Sequence, residues 1–141
     1  MAAARNPIEA EVMAAFQELV DASTALDATR YFDCIDTEKF SGLSADGKVW
    51  HSFRDLEKVI AGGFPMIEKI VSLQFANVKV TLLNSSTAIL VNEFKQTLRL
   101  KDDSVIHQAG GGAQVWCKSG GPWKLVSISA SDASARDGAV F

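Results

Sequence analysis

From Pro7 onward, apolar residues recur at helical spacing: Ile8, Val12, Phe16, Leu19 and Val20, with Ser23 and Leu26 continuing the same face. Asn6 stands where a helix cap belongs, Pro7 suits the first helical position, and Glu9 occupies the place of a capping-box acid. The pattern predicts a helix from Pro7 to about Ala28 and a short second helix within TRYFDCID. KFSGLSADGKVW reads as two short strands around an Asp46-Gly47 turn. Ser52, with Asp55 three residues on, predicts the cap of a helix from Phe53 to about Ala61, which Gly62, Gly63 and Pro65 then end. Beyond it the period changes to two. VSLQFANVKVTLL, TAILVNEFKQTLRL, SVIHQAGGGAQVWCK and WKLVSISAS are separated by turn-forming clusters and predict an antiparallel meander of four strands.

Helices first and strands after predict an α+β fold with the helices on one face of the sheet. At 141 residues the chain is expected to be one domain, with a core over about 7–132 and a small polar tail, 133–141, that frays. A chain of this length buries enough surface to need no disulfide or metal staple. Cys34 and Cys117 lie far apart and form neither a disulfide framework nor a CxxC metal motif, so both are expected as reduced thiols. The net charge of −3 and the scattered Lys and Arg argue against a nucleic-acid partner. No apolar run reaches transmembrane length, and MAAARNPIEAE carries no long apolar stretch, so neither membrane insertion nor a signal peptide is expected and a cytoplasmic location follows.

Val115-Trp116, the glycine turn after them, and Trp123-Lys124-Leu125-Val126 running on to Ser131 carry a family resemblance. Phe32-Asp33, the Asp46-Gly47 turn and the aliphatic run after Thr87-Ala88 add to it. From about Ile8 to Ser131 the chain resembles the nuclear transport factor 2-like superfamily, in particular its SnoaL-like domains and the calcium/calmodulin-dependent kinase II association domain. The resemblance implies a curved antiparallel sheet wrapped as a cone around the long N-terminal helix, a cystatin-like layout, with an apolar cavity inside. It specifies fold rather than function, since the superfamily holds isomerases, dehydratases, epoxide hydrolases, carriers and oligomerisation modules. It also implies that the Gln114 position faces the cavity. Where relatives often carry histidines, this chain has Ser127 and Ser129, which removes two acid–base groups. The helix-one tyrosine of steroid-isomerase-type members is replaced by Phe16, their base falls near Ser41-Gly42, and no Asp-Arg-Asp set of the epoxide-hydrolase kind is apparent.

Strand parity puts Gln114 and Trp116 on one face and Ser127, Ser129 and Ser131 on another series. Trp123 is expected in the core. Trp116 is a candidate for a cavity wall because it shares its face with a polar residue. His107 has the opposite parity to Gln114 unless Gly110-Gly111-Gly112 carries a bulge. On the cone that the resemblance implies, Phe16, Tyr31, Trp50, Phe94, Gln114, Trp116 and Ser129 are the candidate ligand-binding residues. Asp33 as base, Tyr31 as hydrogen-bond donor and His51 at the mouth are the candidate catalytic set, although ordinary solvated or structural roles are the commoner outcome for such side chains. No metal cluster and no phosphate loop is present in the sequence, and no cofactor is expected.

Two functions fit. One is a pocket protein for a small apolar or aromatic ligand, either a non-catalytic binder or a cofactor-independent lyase or isomerase acting on a polyketide-like or aromatic substrate. The other is a homo-oligomerisation module. Ile89 and Val91 alternate with Ala88 and Leu90, so the strand is apolar on both faces, and a homodimer through the outer sheet face is expected.

Overall fold

The computed structural model describes residues 6–133; the expected fraying tail lies, from residue 134 on, outside the described residues. Three helices, α1 (Pro7–Thr24), α2 (Ala28–Asp33) and α3 (Phe53–Gly63), pack with six strands. The strands are β1 (Ser41–Leu43), β2 (Val49–Trp50), β3 (Ile67–Asn84), β4 (Thr87–Leu100), β5 (Val105–Lys118) and β6 (Trp123–Asp132). They form one curled, unclosed sheet in the order β2-β1-β6-β5-β4-β3. The long strands make the predicted antiparallel meander, while β1 runs parallel to β6 and makes the sheet mixed.

The start of α1 follows its sequence signal: Asn6 Oδ1 accepts the Ile8 N–H at 2.8 Å. The end does not. The helix stops at Thr24, short of Ala28, because a Schellman motif closes it. The Asp27 N–H donates to the Ala22 carbonyl and the Leu26 N–H to the Ser23 carbonyl, with Leu26 in the left-handed region at φ 54°. Asp27 is thereby freed to cap α2 through the Arg30 N–H at 3.1 Å. α3 also departs from its predicted cap. Ser52 makes no side-chain cap bond, and Asp55 instead reaches back to the His51 N–H at 2.9 Å.

Val12, Phe16, Leu19 and Ala22 of α1 face the concave side of the sheet, where Ala88, Leu90, Trp116, Trp123 and Leu125 meet them. Removing the larger of these side chains from water, at about 2 kcal/mol each, is what holds the helix in the curl. The sheet curls where its register breaks. A bulge at Asn77, also left-handed at φ 54°, lies between the Ala76 and Lys79 pairings of β3. A second bulge inserts Val126 into β6, between the pairs Val115–Ser127 and Trp116–Leu125. The glycines of β5 carry no bulge toward β4, where every residue from Val105 to Cys117 is paired in unbroken register. Cys34 is buried, Cys117 is half-buried, and both are free thiols. No helix among the described residues is long and apolar enough to cross a membrane.

Candidate functional site

Cross-strand partners share a face, so the register sorts the sheet without ambiguity. Leu90 opposes Gln114, Asn92 opposes Gly112 and Phe94 opposes Gly110. Gln114 opposes Ile128 and Gly112 opposes Ala130. Of these, Asn92, Phe94, Gly112, Gln114, Ile128 and Ala130, with α1 above them, line a cavity of about 200 Å³. Phe16, Leu19, Val20 and Ser23 line it from α1 and Tyr31 from α2, while Leu73, Phe75, Asn92, Phe94, Gln96, Gly111, Gly112, Gln114, Ile128 and Ala130 line it from the sheet. None of these residues is Asp, Glu, His, Lys or Arg. Phe16 stacks edge-on against Phe75 with ring centroids 5.1 Å apart.

Four of the seven expected ligand-binding residues, Phe16, Tyr31, Phe94 and Gln114, are brought together here. Trp50, Trp116 and Ser129 are not among its lining residues. Trp50 packs on Phe40, their rings 6.4 Å apart. Trp116 is fully buried beside the cavity and forms part of the floor of a separate outer groove. Ser129 pairs with Ala113 and Leu43 and lies on the sheet's outer face, as does Ser127. The cause is the extra residue Val126. Trp123 and Leu125 point inward, the bulge shifts the alternation by one, and Ile128 and Ala130 then take the inward positions. The β6 residues facing the cavity are thus an isoleucine and an alanine, neither of which moves a proton. His107 keeps the outward parity, and its Nδ1 lies 3.0 Å from Thr97 Oγ1.

The candidate catalytic set is not assembled. Tyr31 lies buried in the cavity wall, whereas Asp33 and His51 are exposed. Asp33 follows Tyr31 by two residues, about 200° around the helix, so turning Tyr31 inward turns Asp33 out. Asp33 lines the outer groove, and its backbone carbonyl accepts a hydrogen bond from Lys124 Nζ. That groove is larger, about 500 Å³, and two of its carboxylates are held in ion pairs. Glu18 meets Arg30 and Glu11 meets Lys118, each at 3.0 Å. Trp123 Nε1 also donates to Glu11, and the indole and then Lys118 hold that carboxyl below its usual range. These carboxylates are satisfied at the surface, which makes the smaller, uncharged cavity the better candidate site.

Burial pushes the Tyr31 phenol up to about 12, with the nearby Cys34 thiol adding to the shift. The hydroxyl is therefore neutral near neutral pH. Gln114 is 5% exposed, and its Oε1 accepts the Trp116 Nε1–H at 2.9 Å. Among the described residues no three His, Cys, Asp or Glu side chains cluster as metal ligands. Asn92 and Gln96 escaped the sequence reading, yet the parity that places Leu90 and Phe94 inward includes both. Phe75 was hidden by the Asn77 bulge, which breaks the alternation along β3.

A ketosteroid isomerase-like protein from Erwinia carotovora atroseptica superimposes with a TM-score of 0.78 at 16% identity, covering 92% of this chain and 99% of that one. The chain has the nuclear transport factor 2-like fold. A nuclear transport factor 2-like superfamily protein from Salmonella enterica serovar Typhimurium gives a TM-score of 0.79 at 16% identity, covering 95% of this chain and 97% of that one. A hexachlorocyclohexane dehydrochlorinase gives 0.73 at 9% identity, covering 88% and 84%. The sequence matches no family model and no curated protein. The nuclear transport factor 2-like cone accounts for the curled sheet and the internal cavity, and proteins of different chemistry share it.

Proposed function

We propose that the protein binds a small, neutral, apolar or aromatic molecule in the cone cavity and does so without proton-transfer catalysis. The observation that carries this reading is the cavity wall itself, which is aromatic and aliphatic with a few neutral polar groups and no charged side chain. A lyase or isomerase needs a base within reach of the substrate. Asp33, the candidate base, is exposed in the outer groove, and the Tyr31 phenol is held neutral by burial. An apolar cavity of about 150 Å³ suffices for benzene, so about 200 Å³ suits a single substituted ring. Titration with α-methylstyrene, followed by NMR, is expected to show saturable binding that shifts resonances of Phe94 and Ala130. Ala130→Leu, which fills the cavity from β6, is expected to weaken it by about tenfold. Unchanged binding by a folded Ala130→Leu variant would remove the cavity as the site.

A second reading, association through the outer sheet face, is favoured by a distinct observation. Ile89 opposes Val115 and Val91 opposes Ala113, while Ser127 and Ser129 continue the same face toward Leu43. This patch crosses four strands without a charge, and Val91 is 40% and Leu43 39% exposed. A second copy of the chain, presenting the same uncharged face, is the proposed partner. Sedimentation is expected to give a dimer at micromolar concentration, and Val91→Lys to give a monomer. A wild-type monomer under those conditions would rule the dimer out. The two readings are compatible, since the patch and the cavity lie on opposite faces of the sheet.

A further inference from the structure

We infer that Trp116 fixes the Gln114 side-chain amide as a hydrogen-bond donor toward the cavity, so that the site selects ligands presenting a carbonyl oxygen. The inference rests on the binding reading above and adds the ligand's chemical class.

An indole N–H can only donate. The Trp116 Nε1–H therefore demands an acceptor, and Gln114 Oε1 supplies it at 2.9 Å. An amide turned the other way would set two donors against each other, so the orientation of Gln114 follows from chemistry and not from the similar shapes of its O and N atoms. Trp116 is fully buried and cannot turn to water for another partner. The Gln114 NH₂ group is left at the other branch of the amide, in a residue that lines the cavity. No described residue accepts a hydrogen bond from it.

No buried side-chain nitrogen or oxygen among the described residues lacks a partner, so the NH₂ is open to the cavity space, and an apolar ligand that covers it leaves a donor unmatched at a cost. A ligand that offers an acceptor there recovers that cost; one of the same shape without it does not, which is the asymmetry that makes buried polar groups discriminate strongly. Tyr31, in the same cavity wall, brings a second donor, its hydroxyl, which among the described residues also has no partner. No carboxylate lines the cavity to favour a cationic or donor-only ligand. A single-ring aromatic ketone, aldehyde or ester is the class that matches both the volume and this polarity. Trp116 is here a positioning residue, acting on the ligand only through Gln114.

The test uses acetophenone and its near-isostere α-methylstyrene, in which CH₂ replaces the carbonyl oxygen. The full-length protein is expected to bind acetophenone at least about fivefold more tightly, and its carbonyl infrared band is expected to move to lower wavenumber than in hexane. In Gln114→Met the preference is expected to vanish and the band to return. Trp116→Phe, which keeps a ring but removes the N–H, is expected to lower the preference as well, because the amide is then free to turn. If both probes bind wild type, yet the ratio and the band are the same in wild type and Gln114→Met, the donor assignment is overturned while the binding reading stands. If neither probe binds wild type, the binding reading falls and this inference with it.

Discussion

Gly110→Ala is expected to lower the unfolding free energy by about 3 kcal/mol, while Gly62→Ala raises it by roughly 0.5–1 kcal/mol. A Cβ at Gly110 would stand 1.8 Å from the Ser131 carbonyl oxygen and 2.8 Å from its carbon. Both are backbone atoms, so no side chain can swing aside, and β6 itself must move. Gly110 pairs with Asp132 at the end of the β5–β6 ladder, and Ala133 donates to the Ala109 carbonyl at 2.7 Å just beyond. The methyl group would pry this end apart, beside the cavity wall made by Gly111, Gly112 and Ala130. Gly62 is the contrasting case. It lies inside α3 with nothing within 4 Å of its Cβ position, so alanine there only reduces the entropy of the unfolded chain. Chemical denaturation of the two variants checks the signs. A Gly110→Ala protein as stable as the parent would mean that β5 and β6 do not approach as closely as described.

The same contrast explains what could be read from the sequence. β4 was delimited to the residue because Asn84-Ser85-Ser86 and Lys101-Asp102-Asp103 are local turn chemistry: Asn84 Oδ1 accepts the Ser86 N–H and Asp102 Oδ1 the Ser104 N–H, each at 2.9 Å. The end of α1 was misplaced because its left-handed C′ residue is Leu26, where glycine would have announced the stop. The β6 face was misread because Val126 is an ordinary strand residue, and nothing in it declares a bulge. Only its pairing with β5 does so. The parallel pairing of β1 with β6 joins Ser41 to Ser127 across most of the chain, and no local pattern encodes such a contact. For the site, Gln114 was legible as a polar residue between aliphatic neighbours, and its lock by Trp116 follows from their spacing once both face inward. Asp33 was misleading because a helix of six residues sends neighbours to opposite sides, and its facing is decided by which residue the core takes.

The core takes Tyr31, and this has a consequence at alkaline pH. Tyr31 is the only tyrosine of the chain, so tyrosinate absorption reports it alone. Its phenol is pushed from the ordinary 10.0 up to about 12, by burial first and by Cys34 second. At pH values under 10 folded and unfolded chains both hold the proton, and the stability that burial of the neutral phenol provides is fully present. As pH rises from 10 to about 12 the unfolded chain releases the proton while the folded chain retains it, so the unfolded state gains and stability falls. Over that window the loss amounts to about 3 kcal/mol at the usual conversion between a pKa shift and free energy. Tyr31→Phe has no proton to lose and is expected to flatten the decline by that amount. Absorbance titration of the folded protein is expected to give a midpoint well above that in urea. A midpoint near 10 in the folded state would mean that the hydroxyl meets solvent freely, and the cavity would then be open water and not an apolar site.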